Sequence, residues 1–189
     1  EIHDLRLAFE ATTGEDLNWF FNQWFLASGH PELEINYAYV DSSKTTTVTI
    51  EQTQKSPAPA VYQLPIAIDI YSEGKVKREE VTISERVAKF SFQTNQQPDL
   101  INVDGNKMLL ADILDNKSNN DYIFQYYNAP LWKDRHEAIL HCGTNTADTA
   151  CRDVIVAAMQ DAYWNLRYEA LQSYEAAYQN FDELTVLPI

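Results

Sequence analysis

Residues 33–39, LEINYAY, and residues 46–51, TTVTIE, alternate apolar and polar side chains, and this alternation decides the fold class. A period of two is typical of a β-strand with one buried face. The pattern continues over residues 62–70, and Ser72-Glu73-Gly74-Lys75 predicts a hairpin turn to a strand at residues 77–83. Further segments at 88–92 and 100–103 bring the total to about seven short strands. Residues 31–110 are therefore predicted to form an antiparallel β-sandwich.

Pro65 and the residues before the strands add local predictions. Pro65 has no backbone donor, so we expect its strand at a sheet edge or at a bulge. Residues 1–30 have helical spacing and are predicted to form two helices, the first ending near Thr12. Thr13 is expected to cap the second helix. That helix is expected to end at a left-handed Gly29, because Pro31 prevents its continuation.

Helical spacing returns after residue 110, over the zone 111–189. Helices are predicted at 121–127, 131–141, 146–159 and 162–174, with a last one near Phe181. Residues 135–139, RHEAI, and 167–171, RYEAL, are similar and stand 32 residues apart. This spacing is typical of helix-pair repeats, although amphipathic helices also resemble one another by chance. The fold class is thus mixed α and β in separate zones: a short helical start, a sandwich and an α-helical repeat region.

The charge balance excludes several partners. The 189 residues include 14 Lys and Arg against 28 Asp and Glu, a formal net charge of −14. Nucleic acid and anionic membrane surfaces are excluded as main partners, because both normally require clustered basic side chains. No apolar run approaches the roughly 20 residues that span a bilayer, so we expect a soluble chain. The first residues already have helical spacing and lack an initial Met, which suggests a piece of a longer protein.

The chain offers weak candidates for chemistry. His136 and His141 flank Glu137 at a spacing of five, whereas a zinc helix needs four so that both rings lie on one face. An oxygen-rich stretch could bind calcium or be a solvated connector; it contains Asp112, Asp115, Asn116 and Asp121. The aromatic run at 122–127 is expected to pack between helices, with a sugar platform as the alternative. No nucleophile elbow or phosphate loop occurs. We assign no catalytic residue and no metal ligand.

Cys142 and Cys151 are nine residues apart, which fits neither a redox pair nor a zinc knuckle. They are predicted to be two reduced core thiols or a disulfide that joins adjacent helices.

Residues 13–33 carry a resemblance to a known family. Phe21, Gln23-Trp24, Gly29, Pro31 and Leu33 match, in order and spacing, the end of the catalytic domain in M1-family zinc aminopeptidases. The stretches 62–70, 102–104 and 164–171 also resemble the sandwich and the HEAT-like helical domain of that family. The family's H-E-x-x-H zinc helix, its downstream Glu ligand, its glycine-rich motif and its oxyanion tyrosine have no counterpart here. The resemblance therefore implies a non-catalytic C-terminal portion of a metallopeptidase, with zinc only in the parent protein.

The resemblance also implies roles for particular residues. Residues 1–30 would be terminal helices of a missing catalytic domain, 31–110 a spacer, and 111–189 the start of a helical wall around the active-site cavity. The partners implied are that catalytic domain and, through the parent, peptides. Side chains expected to pack between domains are Phe20, Phe21, Trp24 and Pro31. Those expected in the core of the helical repeat are Ala138, Trp164, Arg167, Ala170 and Leu171.

Two other functions remain open from the sequence. One is a freestanding interaction module whose acidic helical surface binds a basic protein. The other is a hydrolase that uses residues scattered along the chain. Without its catalytic domain the chain would leave Trp19, Phe20, Phe21 and Trp24 partly uncovered, so we expect self-association or helix rearrangement near residues 1–28.

Overall fold

The computed structural model of the chain describes residues 1–55, 57–59 and 61–176. Two helices come first, α1 (Ile2–Thr13) and α2 (Asn18–Trp24). Seven strands follow, β1 (Glu32–Val40), β2 (Thr45–Gln52), β3 (Leu64–Ser72), β4 (Lys75–Ile83), β5 (Val87–Gln93), β6 (Leu100–Val103) and β7 (Asp112–Asp115). Four helices close the described chain, α3 (Asn119–Asn128), α4 (Trp132–Thr144), α5 (Thr149–Ala158) and α6 (Trp164–Ala176). The predicted fold class, with helices, mostly antiparallel sheets and then helices, is confirmed.

The chain divides into two compact units. The first contains Glu1–Pro98 and Val103–Asn116, and the second contains Asp99–Asn102 and the chain from Lys117 onward. The first holds α1, α2 and most of the strands, whereas the second holds α3 to α6. The helix predicted near Phe181 lies outside the described residues.

The strands form two sheets. One has the order β5-β2-β1-β7 and the other β4-β3-β6. The alternation that predicted the strands also sets the register, because Ile35 lies opposite Ile50 and Val48 opposite Phe90. Buried apolar side chains come from both sheets: Leu33, Ile35, Val48 and Ile50 from the first, and Leu64, Ile66, Ile68, Ile70 and Ile83 from the second. These side chains form the apolar interior of the first unit.

The hairpin turn predicted after Ser72 is confirmed. β3 ends at Ser72 and β4 begins at Lys75, with Glu73 at φ 53° and Gly74 at φ 69°. Two consecutive residues with positive φ make the tight turn whose twist matches that of the flanking strands. The prediction for Pro65 is wrong, because β3 is the middle strand of its sheet. Pro65 is the second residue of β3, near the strand start, where a missing donor is better tolerated.

Two expectations about element ends are corrected. Thr13 is the last residue of α1 rather than the cap of α2, and Gly14 ends α1 in the left-handed conformation at φ 75°. Asp16 instead accepts a hydrogen bond from the amide of Asn18 at the start of α2. Gly29 does have a left-handed φ of 86°, but α2 has already ended at Trp24. Only glycine fits there, since a Cβ on Gly29 would lie 2.7 Å from the Cβ of Ala58.

The oxygen-rich stretch after residue 110 contains a strand that the sequence did not predict. Asp112–Asp115 is β7, which pairs with β1 in parallel, so the four-stranded sheet is mixed. A strand of four residues with an acidic residue at each end gives little periodic signal. Its pairing also depends on a strand 80 positions earlier in the chain, since Glu32 lies opposite Asp112. The solvated connector expected there is therefore part of the sheet.

The second unit is held by a helical core. Its buried side chains are Tyr122, Tyr126, Ala138, Ile139, Cys142, Cys151, Val154, Ile155, Ala158, Leu166 and Ala170. All four helices contribute to this core. Within the residues described, no helix is long and apolar enough to cross a membrane.

Candidate functional site

The N-terminal helices carry an apolar surface that nothing in the described chain covers. α1 has no buried residue. Its large apolar side chains Leu5, Leu7 and Phe9 are each about half exposed to solvent. We use the term N-terminal apolar surface for the exposed side chains of Ile2, Leu5, Leu7, Phe9, Phe20, Phe25 and Leu26. Monomeric proteins rarely expose large apolar patches without a partner, and seven large apolar side chains are exposed on these two helices and the residues just after them.

One carboxylate holds α1 against the start of α2. Glu10 Oε1 lies 2.7 Å from Arg6 Nη1 and accepts a hydrogen bond of 3.0 Å from the amide of Leu17. The side chains of Arg6 and Glu10 are both less than one-fifth exposed. This charge-assisted contact fixes the turn between the two helices.

The Gln23-Trp24 pair attaches α2 to the sheet-containing unit. The Gln23 side chain donates to the carbonyl of Gln63 and accepts from its amide, both at 2.9 Å, as a neighbouring strand would. The Trp24 ring lies 5.5 Å from the ring of Tyr62, which is fully buried. Trp24, which was expected to pack between domains, thus has a defined contact inside the first unit.

The predicted interdomain residues have different environments. Phe21 and Pro31 are buried, Trp24 is half-buried and Phe20 is 36% exposed. The Phe21 ring stacks on Phe25 with centroids 4.8 Å apart, and Phe20 lies edge-on to Phe21. Phe20 is therefore the member of this set that remains free for another surface, and packing against a second domain stays a prediction.

The predicted repeat core is only partly a core. Ala138 and Ala170 are fully buried, but Trp164 is 63% and Leu171 54% exposed. These two side chains lie outside the core of the described helices, so their place in a repeat core stays a prediction. Leu171 corresponds in the similar segment to Ile139, which is fully buried. Neighbouring helices therefore pack on this face of α4, whereas the same face of α6 is exposed in the described residues.

Arg167 is half-buried and binds the turn between α5 and α6. Its Nη1 donates to the carbonyls of Asp161 and Ala162 at 2.9 and 3.0 Å. Arg135, the corresponding residue of α4, donates from Nε to Asp161 Oδ2 at 2.9 Å. Burial and the Asp161 carboxylate together raise the pKa of the nearby Tyr126 to about 12. The two similar segments therefore meet at one residue, Asp161.

The histidines do not form a metal site. His141 Nε2 lies 2.8 Å from Asn119 Oδ1 and its ring stacks on Tyr122, whereas the His136 ring stacks on Trp132. Burial, with the charge of Lys133, lowers the pKa of His136. No group of His, Cys, Asp and Glu in the described part of the chain is arranged to hold a metal. These residues do not fit a zinc ion.

The oxygen atoms predicted as possible calcium ligands have other partners. Asp112 lies 2.9 Å from His30 Nε2, Asp115 accepts from the Tyr37 hydroxyl at 2.8 Å, and Asn116 donates to Asn36. Asp121 accepts from Ser118 in the capping box of α3. They are distributed over a strand and a helix start and do not converge.

The remaining candidates are structural. Of the aromatic run, Tyr122 and Tyr126 belong to the helical core, as predicted, while Tyr127 is 56% exposed. Cys142 and Cys151 are free and fully buried, and burial raises the pKa of both thiols. The reduced-thiol alternative is the one that the structure contains.

Sequence reasoning missed a buried polar network in the second unit. Lys117 Nζ lies 2.9 Å from Gln125 Oε1, and Gln125 Nε2 donates to the Asp134 carbonyl at 3.0 Å. Asn102 donates to Asp134 Oδ1 at 2.9 Å. All four side chains are at least nine-tenths buried. The only signal was the presence of polar residues within apolar helical patterns, which does not identify partners 32 residues apart.

Comparison with known proteins places the fold in a class. No protein-family model matches the chain, and no curated protein matches its sequence. Seventy-eight chains of solved structures match in fold, and part of an aminopeptidase is among them. One of them is Legionella pneumophila aminopeptidase A in complex with aspartic acid, with a TM-score of 0.70 and 16% identity. The match covers 89% of this chain and 21% of that chain, so this chain spans about one-fifth of its neighbour's length.

Proposed function

We propose that this chain is a non-catalytic portion of a metallo-aminopeptidase of the M1 type, in which the strands act as a spacer and the helices begin a cavity wall. The observation that carries the proposal is α1, a 12-residue helix with no buried residue and four large exposed apolar side chains. In the parent protein a preceding catalytic domain covers this surface.

Three further observations support the proposal. The match covers 89% of this chain but only 21% of the solved aminopeptidase that shares the fold. The Gln23-Trp24 pair, part of the sequence pattern, attaches α2 to the sheet unit through paired hydrogen bonds to Gln63. The proposal assigns zinc and peptide cleavage to the rest of the parent, and within the described residues no group is arranged to hold a metal. The parent would remove N-terminal residues from peptides.

The first experiment tests the N-terminal apolar surface. Light scattering over a range of concentrations compares the chain with the double variant Leu5→Glu/Phe9→Glu and with Met108→Glu, which adds one charge at a side chain that is 80% exposed. We expect self-association of the unchanged chain and of Met108→Glu, and a monomer for the double variant. A strictly monomeric unchanged chain whose α1 amides exchange freely would contradict the proposed cover.

The second experiment tests the parent's chemistry. The reading frame upstream of Glu1 should encode H-E-x-x-H with a Glu ligand following it. Expression of that longer frame should yield hydrolysis of aminoacyl nitroanilides that chelation abolishes, whereas this chain alone should be inactive. An upstream frame without the motif, or turnover by this chain that survives chelation, would overturn the assignment.

A further inference from the structure

An open groove of about 680 Å³ lies in the first unit, at one end of the strands. One wall is the hairpin of β3 and β4, with Ser72, Lys75 and Lys77. The opposite wall is the end of β5 and the residues after it, Ser91 to Asn95. The volume is within the range of small-molecule sites, about 300–1,000 Å³. No part of the proposed function uses this groove.

Most charged and polar groups in the groove are already paired. Lys77 Nζ lies 2.6 Å from Glu79 Oε1, and Lys44 Nζ lies 2.7 Å from Asp41 Oδ1. Asn95 donates to Glu73 Oε2 at 3.0 Å. The two lysine pairs are neutral overall, whereas Glu73 keeps its negative charge beside the Asn95 amide.

Ser72 and Lys75 are the donors of the hairpin wall that have no partner among the described residues. The Ser72 Oγ is buried and has no hydrogen-bond partner, and the Lys75 ammonium has no partner among the described residues. Ser72 and Lys75 are directly opposite each other in the register of β3 and β4, so their Cβ atoms are about 5 Å apart on one face. A buried hydroxyl without a partner is costly, and one anionic oxygen pair can satisfy both groups.

The floor of the groove is apolar. Ile70 is 4% exposed, and Phe92 of β5 is half-buried beside it in the lining. An aliphatic chain of a few carbons on this floor would remove both side chains from water. The groove thus combines one unpaired cation, one unpaired hydroxyl and a short apolar surface, in a chain whose net charge is −14.

We propose that this groove binds a carboxylate carried on a short apolar chain, with Lys75 and Ser72 as the carboxylate donors and Ile70 and Phe92 as the apolar floor. Two sources have this chemistry, a free aliphatic acid and the C-terminus of a peptide that ends in an apolar residue. The proposal is independent of the proposed function, and its test uses this chain alone.

The test is a titration of the ¹⁵N-labelled chain followed by amide chemical shifts. The probes are hexanoate and its neutral analogue hexanamide, and acetyl-Ala-Leu as the carboxylate and as the amide. With a carboxylate probe we expect saturable changes in the amide chemical shifts of residues 72–75 and 91–95. The corresponding amide should bind at least about tenfold more weakly, because it loses the charged hydrogen bond between the probe carboxylate and Lys75. Tighter binding of hexanoate would identify a free aliphatic acid as the ligand, and tighter binding of the dipeptide would identify a peptide C-terminus. Both outcomes support the site.

Variants separate the site from general charge effects. Lys75→Met should weaken carboxylate binding about tenfold, whereas Lys89→Met, an exposed lysine of β5 outside the groove, should leave it unchanged. Ser72→Ala should weaken binding without lowering the stability of the free chain, because it removes an unsatisfied buried hydroxyl. Equal binding of carboxylates and amides, full binding by Lys75→Met, or no saturable shift with any probe would overturn the proposal.

Discussion

Asp69 on β3 and Arg78 on β4 are joined at two points, because Nε and Nη2 of Arg78 lie 2.6 and 2.7 Å from the two carboxylate oxygens. The residues are directly opposite in the register, and the Asp69 side chain is only 5% exposed. Arg78 also donates to the carbonyl of Gly105, where a Cβ would lie 2.5 Å from Asp69 Oδ2. The absence of a side chain at Gly105 therefore makes room for this ion pair.

Removal of Arg78 should be costly, because it leaves the Asp69 carboxylate buried without its cation. We expect Arg78→Met to lower the free energy of unfolding by about 2–4 kcal/mol. Urea unfolding measures the change. Lys77→Met is the matched control, since the more exposed Lys77–Glu79 pair should contribute less than about 1 kcal/mol. Equal losses in both variants would contradict this role of the ion pair.

Gly29 should not accept a side chain. Gly29→Ala combines a positive φ with a Cβ placed 2.7 Å from the Cβ of Ala58, so we expect a loss of about 2–3 kcal/mol. Gly74→Ala has a positive φ but meets nothing within 4 Å, and should lose only about 1 kcal/mol. Thermal or urea unfolding compares the two, and a loss for Gly29→Ala no larger than for Gly74→Ala would show that the close approach to Ala58 does not matter.

Gln23 should be needed to hold α2 on the first unit. Gln23→Ala removes both hydrogen bonds to the backbone of Gln63 and should cost about 1–3 kcal/mol. The amide of Gln63 should then exchange with solvent faster. The neighbouring Asn22 is exposed, so Asn22→Ala serves as the control and should change neither quantity. Unchanged protection of Gln63 in Gln23→Ala would rule out this attachment.

His136 should make stability depend on pH. Burial, helped by Lys133 and opposed by Glu169 and Glu137, lowers its pKa below the ordinary value of 6.5. The unfolded chain therefore binds a proton at a pH where the folded chain does not, so the free energy of unfolding falls as the pH drops below about 6.5.

His136→Gln should remove this contribution. Urea unfolding at several pH values between 7.5 and 5 should show a smaller loss of stability in the variant than in the unchanged chain. The exposed His3, changed to Gln, is the control and should leave the slope as it is. Parallel slopes for the unchanged chain and His136→Gln would contradict the buried neutral state.

The thiols of Cys142 and Cys151 should be unreactive until the chain unfolds. Both are fully buried, and their raised pKa values keep them protonated at neutral pH. A thiol reagent should titrate none in the folded chain and two per chain in guanidinium. Absence of reaction after unfolding without reductant would indicate the disulfide instead.

The sequence predicted the elements whose signal is local and repeated. Alternation over residues 33–39 and 46–51 predicted β1 and β2, and the Glu73-Gly74 turn predicted the hairpin. The predicted helices in 121–174 correspond to α3 to α6, with ends that differ by a few residues. β7 was missed because its four residues carry almost no periodicity, and Pro65 was misplaced because a backbone donor near a strand start matters less than inside a strand.

The site-level predictions depended on how local their evidence was. The spacing of His136 and His141 predicts that the two rings lie on different faces of one helix, since helix geometry follows from sequence distance. Trp164 and Leu171 lie outside the core of the described helices, which the sequence did not indicate, because an amphipathic pattern shows which side chains are apolar but not whether a neighbour covers them. The network of Lys117, Gln125 and Asp134 was missed for the same reason.

The sequence alone determined the net charge of −14, the order of the helices and of the strands other than β7, and the hairpin turn at Glu73-Gly74. Only the tertiary structure decided that β7 pairs with β1, that Arg78 neutralises Asp69, that α1 remains uncovered and that Ser72 and Lys75 face one groove. The physical reason is that backbone propensity and side-chain periodicity act over a few residues. Burial and pairing instead depend on atoms that the fold brings together from distant positions.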